Sequence, residues 1–124
     1  MMGTGKILVV DDEAALRSLL ADMCVMKGFR VDSAKDGAEG LKYVEDARYD
    51  LVIVDYEMPV MNGIEFVRRV REKGNPLPII GVSALEVGDA FMNAGATSFL
   101  QKPFSFEAIK EKIEGIIIGG RFDG

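Results

Sequence analysis

Apolar residues fall in two rhythms along this chain. Lys6 to Val10, Leu51 to Val54 and Ile79 to Val82 are short, nearly unbroken apolar runs. Runs of this length predict strands buried on both faces of a parallel sheet. Phe29 to Ala34 alternates instead, with Phe29, Val31 and Ser33 set against Arg30, Asp32 and Ala34. That pattern predicts a less buried strand at a sheet edge. Thr97 to Leu100 reads as a last strand, followed closely by Lys102-Pro103.

Between these runs the apolar spacing becomes helical. Glu13 to Lys27 predicts a helix with Leu16, Leu19, Leu20 and Met23 on its inner face and Gly28 as its stop. Asp36-Gly-Ala-Glu39 resembles a capping box and opens a helix to about Asp46, with Ala38, Leu41 and Val44 inside. Asn62 and Glu65 form a second cap pair, before Phe66, Val67 and Val70. Glu86 to Ala94 predicts a short helix weakened by Gly88 and ended by Gly95. Ser105 caps a final helix carrying Phe106, Ile109, Ile113, Ile116 and Ile117, and Gly119-Gly120 is its expected end.

Strands alternating with helices through short connections build right-handed βαβ units, hence a parallel sheet covered on both faces. Five strands and five helices are expected, with the alternating second strand at an edge. The expected fold is therefore α/β, a flavodoxin-like doubly wound sheet of order 2-1-3-4-5.

Composition narrows the function. At 124 residues the chain suits one domain, and its 48% hydrophobic and 28% charged residues are ordinary for a globular protein. No apolar run reaches the ~20 residues of a membrane span, and the start lacks a signal-peptide pattern, so a cytoplasmic protein without a membrane role is expected. The net charge of −5 argues against direct nucleic-acid binding. Cys24 is the single cysteine and sits among apolar neighbours, as a packed thiol would. There is no histidine, which removes the commonest general base and metal ligand. Gly5-Lys6 is no phosphate loop, because the glycine spacing, the preceding strand and a following Ser or Thr are all missing.

The chemistry lies at strand ends. The first strand runs into Asp11-Asp12-Glu13 and the third into Asp55, after which Pro59 and Asn62-Gly63 mark a loop. A capping role for Asp12 would explain one acid but not Asp11 beside it. In the expected order the first and third strands are neighbours, so three carboxylates meet where such folds bind ligands. Oxygen ligands alone suit a hard cation such as Mg2+, with Mn2+ an alternative. The fourth strand adds the hydroxyl of Ser83 and the fifth the ammonium of Lys102. A carboxylate nucleophile, a metal, a hydroxyl and an ammonium together meet the needs of phosphoryl transfer.

With these residues in place, the chain resembles the receiver domain of two-component response regulators, of the single-domain chemotaxis type. The resemblance rests on Asp11-Asp12-Glu13, on Asp55 in VDYEMPVMNG, on Ser83-Ala84, on Gly95-Ala96 and on Phe99-Leu-Gln-Lys102-Pro103-Phe104. It covers residues 5–118, the expected domain, leaving 1–4 and 119–124 as expected flexible termini. It implies that Asp55 accepts a phosphoryl group, and that Asp12, Asp55 and the backbone carbonyl of Glu57 hold Mg2+. Asp11 would act mostly through a metal-bound water. It implies that Ser83 and Lys102 grip the phosphoryl group, that Phe99 turns inward as Ser83 moves, and that Lys102-Pro103 is cis. The implied donor is a sensor histidine kinase or a histidine phosphotransfer protein, and the output is a downstream target protein.

Two features depart from the family pattern. The acidic Glu57 stands two residues after Asp55, where its carboxylate can reach the metal or Lys102. The interval from Ser83 to Gly95 is shorter than usual by roughly one helical turn. Two other functions compete. One is a phosphohydrolase working through an aspartyl-phosphate, disfavoured because the position two after Asp55 is Glu rather than Asp. The other is a receiver-like module that binds without being phosphorylated, disfavoured because every site residue is present.

Overall fold

The computed structural model describes residues 5–123, with side chains through residue 119. Residues 1–4 and 124, expected as flexible ends, lie outside the described residues. The elements are β1 Lys6–Val10, α1 Ala14–Met26, β2 Arg30–Ala34, α2 Gly37–Asp46, β3 Leu51–Asp55, α3 Gly63–Glu72, β4 Ile79–Ser83, α4 Gly88–Ala94, β5 Ser98–Gln101 and α5 Phe106–Asp123. The five strands form one parallel sheet in the order β2-β1-β3-β4-β5. The alternating segment is the edge strand β2, and this is the flavodoxin-like order that the pattern predicts.

Both faces of the sheet are covered, which is why β1, β3 and β4 carry apolar residues on both faces. Successive side chains of a strand point to opposite faces. Leu8, Val10, Val52 and Val54 face one core layer, closed by Phe66, Val67 and Val70 of α3 and Phe91 of α4. Ile7, Val9, Ile53, Ile80 and Val82 face the other, closed by Leu20, Met23 and Cys24 of α1 and Ile109, Ile113 and Ile117 of α5. Cys24 is a packed thiol there, and burial pushes its pKa up to about 12.

The helices follow their caps. Asp36 accepts the Glu39 N–H at 2.8 Å, Asn62 the Glu65 N–H at 2.9 Å, and Ser105 the Ala108 N–H at 3.0 Å. Gly95 closes α4 in the left-handed region at φ 112°, where a side chain would be strained. Among the described residues no helix is long and apolar enough to cross a membrane.

Several side chains depart from the pattern. Leu19 is 63% exposed, because Leu20, Met23 and Cys24 define the inner stripe of α1 and Leu19 lies to one side of it. Ala38 is exposed as well. Gly37 and Gly40 face inward instead, and a Cβ on Gly40 would sit 3.0 Å from Val10 and from Phe66, so α2 packs on the sheet through bare backbone. Gly88 is the first residue of α4 rather than an interior one, where its helix penalty is small. Phe106 opens α5 half-exposed. The last helix continues through Gly119 and Gly120 to Asp123, since glycine weakens a helix without forbidding it. β5 lies one residue later than expected, because Thr97 stays outside it and accepts the Ile79 N–H through its hydroxyl.

Candidate functional site

Register brings the acids together. Val10 pairs with Val54, so β1 and β3 end level, and Asp11 and Asp55 emerge side by side at the carboxyl end of the sheet. Asp11, Asp12 and Asp55 each offer an oxygen within 4.8 Å of the others. Asp11 and Asp55 are buried, whereas Asp12 is exposed. Asp12 is not the cap of α1. That position is Glu13, whose side chain makes no capping bond, while its N–H donates to Asp11 Oδ1 at 2.8 Å.

The other Asp11 oxygen, Oδ2, is buried with no hydrogen-bond partner. A buried carboxylate oxygen without a partner carries a desolvation cost that a cation would remove. Burial pushes the Asp11 carboxyl up to about 6 from 3.8; the Glu13 N–H opposes this and the Asp55 charge adds to it. An oxygen-only donor set, one member of it unsatisfied, fits a hard divalent cation.

β5 ends against β4 through the Lys102 N–H, which donates to the Ser83 carbonyl at 2.8 Å. Lys102 Nζ reaches across to Asp55 Oδ1 at 2.8 Å. Burial alone would lower the ammonium's pKa, but the Asp55 hydrogen bond and charge, with Asp11 and Glu13, raise it overall. Lys102 therefore stays charged. Glu57 is exposed, and the carboxylate that Lys102 meets is Asp55. Ser83 is fully buried, and its Oγ accepts the Leu85 N–H at 3.0 Å, leaving its own proton to be donated. The Lys102-Pro103 bond is cis.

Phe99 packs on Phe91 with ring centroids 5.6 Å apart, and Phe91 meets Tyr56 edge-on at 6.2 Å. An aromatic row thus runs from the residue after Asp55 to β5. Three contributors escaped the sequence reading. Phe91 lay in a helix too short for its inner face to be assigned. Gly63 does more than turn: a Cβ there would fall 2.4 Å from the Asp55 carbonyl oxygen, so α3 starts against the end of β3 only as glycine. Arg17 donates to the Asp11 carbonyl at 2.7 Å, a contact six residues long that no helical spacing announces.

Comparison with known proteins agrees with this geometry. Residues 7–114 match the response regulator receiver domain family, and the chain belongs to it. It is 36% identical over 115 residues to response regulator MprA of a Mycobacterium species, covering 90% of this chain and 50% of that protein. The chain thus spans about half the length of the curated relatives it matches. Among solved structures it is similar to the Francisella response regulator 1452 receiver domain, with a TM-score of 0.90 and 25% identity over 94% of this chain and 99% of that one. It is also similar to response regulator TrrA of Thermotoga maritima, solved in complex with Mg2+-BeF, with a TM-score of 0.85 and 35% identity over 91% and 99% of the two chains. Chemotaxis response regulator CheY4 of Vibrio cholerae aligns with a TM-score of 0.85 and 33% identity, over 91% and 98%.

Proposed function

We propose that residues 5–118 form a phosphoacceptor switch in which Asp55 takes a phosphoryl group from a phosphohistidine on a partner protein, a sensor histidine kinase or a phosphotransfer protein. The observation that carries the reading is the Lys102–Asp55 contact of 2.8 Å inside a crevice of three carboxylates. A structural ion pair would not need two further acids beside it.

In the transfer, an oxygen of the Asp55 carboxylate attacks phosphorus. The P–N bond to the donor imidazole breaks, and the imidazole leaves with that electron pair. The product is an acyl phosphate on Asp55. Lys102 then shifts its hydrogen bond from the carboxylate to a phosphoryl oxygen, and the Ser83 hydroxyl donates to another. Asp11, Asp12, Asp55 and the Glu57 carbonyl would hold a divalent cation. When bound, that ion would neutralise charge on the phosphoryl oxygens. Because Ser83 and Phe99 lie on adjacent strands, a shift of the Ser83 hydroxyl toward the phosphate opens space that the Phe99 ring can enter. The role is regulatory rather than metabolic, and the downstream target is a protein reading the Phe99 face.

The test is labelling with acetyl phosphate and Mg2+. The parent should acquire an acid-labile phosphate and Asp55→Asn should not. Equal labelling of both would place the acceptor elsewhere.

A further inference from the structure

Asp11 is held at nearly every polar atom it has. It stands at the end of β1, where its N–H donates to the Ala34 carbonyl at 3.1 Å and so continues the pairing of β1 with β2. Its Oδ1 accepts the Glu13 N–H at 2.8 Å. Its carbonyl accepts from the Arg17 guanidinium at 2.7 Å. Of these atoms only Oδ2 has no partner, and it is buried. With the rest of the residue fixed, that oxygen has one direction left.

Arg17 is the unexpected member of this set. It is partly buried, yet it forms no ion pair among the described residues. It bonds the neutral carbonyl of a residue whose carboxylate still lacks a partner. A guanidinium gains more from a carboxylate than from a carbonyl, so charge pairing does not account for its place. The effect of the bond is mechanical. The Asp11 carbonyl and the Asp12 N–H belong to one planar peptide, so holding the oxygen also fixes the plane from which Asp12 departs. The Arg17 N–H meanwhile donates to the Glu13 carbonyl at 3.0 Å, a first rung of α1. Backbone and side chain of one residue thus close both ends of the loop 11–13.

We infer that Arg17 is a positioning residue of the cation site: it sets the directions of the Asp11 and Asp12 carboxylates through the peptide they share, and is no ligand itself. The inference rests on the metal site of the proposed switch and adds the residue that holds that site in shape. Groups that orient metal ligands from behind typically change affinity by about 10–100-fold when lost. Coulomb attraction makes the opposite prediction. Removing a cation beside three acids should, by charge alone, tighten the hold on a divalent cation. The sign of the change separates the two.

The experiment measures Mg2+ affinity by isothermal titration calorimetry for the parent, Arg17→Met, Arg17→Lys and Arg69→Met, with far-UV circular dichroism of each in EDTA. Arg17→Met keeps the apolar stem and loses the donors, and its dissociation constant for Mg2+ should rise about tenfold. Arg17→Lys restores a charged donor and should bind Mg2+ more tightly than Arg17→Met. Arg69→Met removes an equal charge from the exposed face of α3, where Arg69 pairs with Glu65, and should bind as the parent does. All four should show the same helix content in EDTA. An Arg17→Met affinity equal to the parent's, or tighter, overturns the inference. So does an Arg17→Met that fails to fold in EDTA, which would make the bond a structural one. A parent that binds no Mg2+ overturns the metal site itself, and the role of Arg17 with it.

Discussion

The two ends of the same sheet carry polar clusters of opposite design. At the amino end, Lys6 Nζ lies 3.4 Å from Asp32 and over the Tyr49 ring, and the Lys6 N–H donates to Asp50 at 2.8 Å. The buried Tyr49 hydroxyl donates to Asp32 at 2.6 Å. Its pKa is raised by burial and by that acceptor, so it remains a donor. Each of these acids meets a donor. At the carboxyl end, three acids share one ammonium, and an Asp11 oxygen meets nothing. Two unit charges 4 Å apart repel by about 4 kcal/mol at an effective dielectric of 20. The polar groups of the amino end satisfy one another, whereas those of the carboxyl end do not.

Four measurements would break or sharpen that contrast. The largest effect should come from a divalent cation. Mg2+ at a hundred times its dissociation constant should stabilise the parent by about 2.7 kcal/mol in denaturant titrations, and Asp12→Ala far less. A parent indifferent to Mg2+ would remove the acidic crevice as a metal site. Next, Tyr49→Phe should cost about 1–2 kcal/mol, the scale of a hydrogen bond to a charged acceptor. No loss there would mean the amino end is not the satisfied cluster described.

The carboxyl end should respond with the opposite sign. Without metal, Asp11→Asn should gain about 1 kcal/mol by removing a buried like charge, a fraction of the pair repulsion because Lys102 and solvent already screen it. Asp12→Ala should gain less, since Asp12 is exposed. Destabilisation by both in EDTA would show that the acids are not in conflict. The last test is with pH. Asp11 in the folded state holds its proton to about pH 6, above its ordinary 3.8. Between those values the folded state binds a proton that the unfolded chain does not. Metal-free stability should therefore rise as pH falls through about 6, level off below about 4, and be absent from Asp11→Asn.

The sheet and the crevice were legible in the sequence because both are local facts. A four-residue apolar run bounded by turn signals favours a covered strand over a helix, and an acid directly after it then stands at the strand's end. Topology then placed Asp11 beside Asp55 without any knowledge of contacts. What escaped was decided between elements. Leu19 and Leu20 are equal as sequence, and only the approach of the neighbouring layer made one of them core. Ala38 lost its place to Gly40 because a closer approach was available through bare backbone.

Phe91 fills a notch that only glycine leaves. A Cβ on Gly81 would lie 2.4 Å from the Phe91 ring, and one on Gly63 would lie 3.0 Å from its tip. The ring supplies from α4 the volume that a side chain on β4 would otherwise provide. Positions 81 and 91 therefore pack as one unit, and added volume at position 81 meets the Phe91 ring. Gly81→Ala should be tolerated poorly by itself and rescued when Phe91 becomes leucine, so the two sites should covary in descent. A lineage that acquires a larger residue in the strand should be found to have shed its aromatic from the helix.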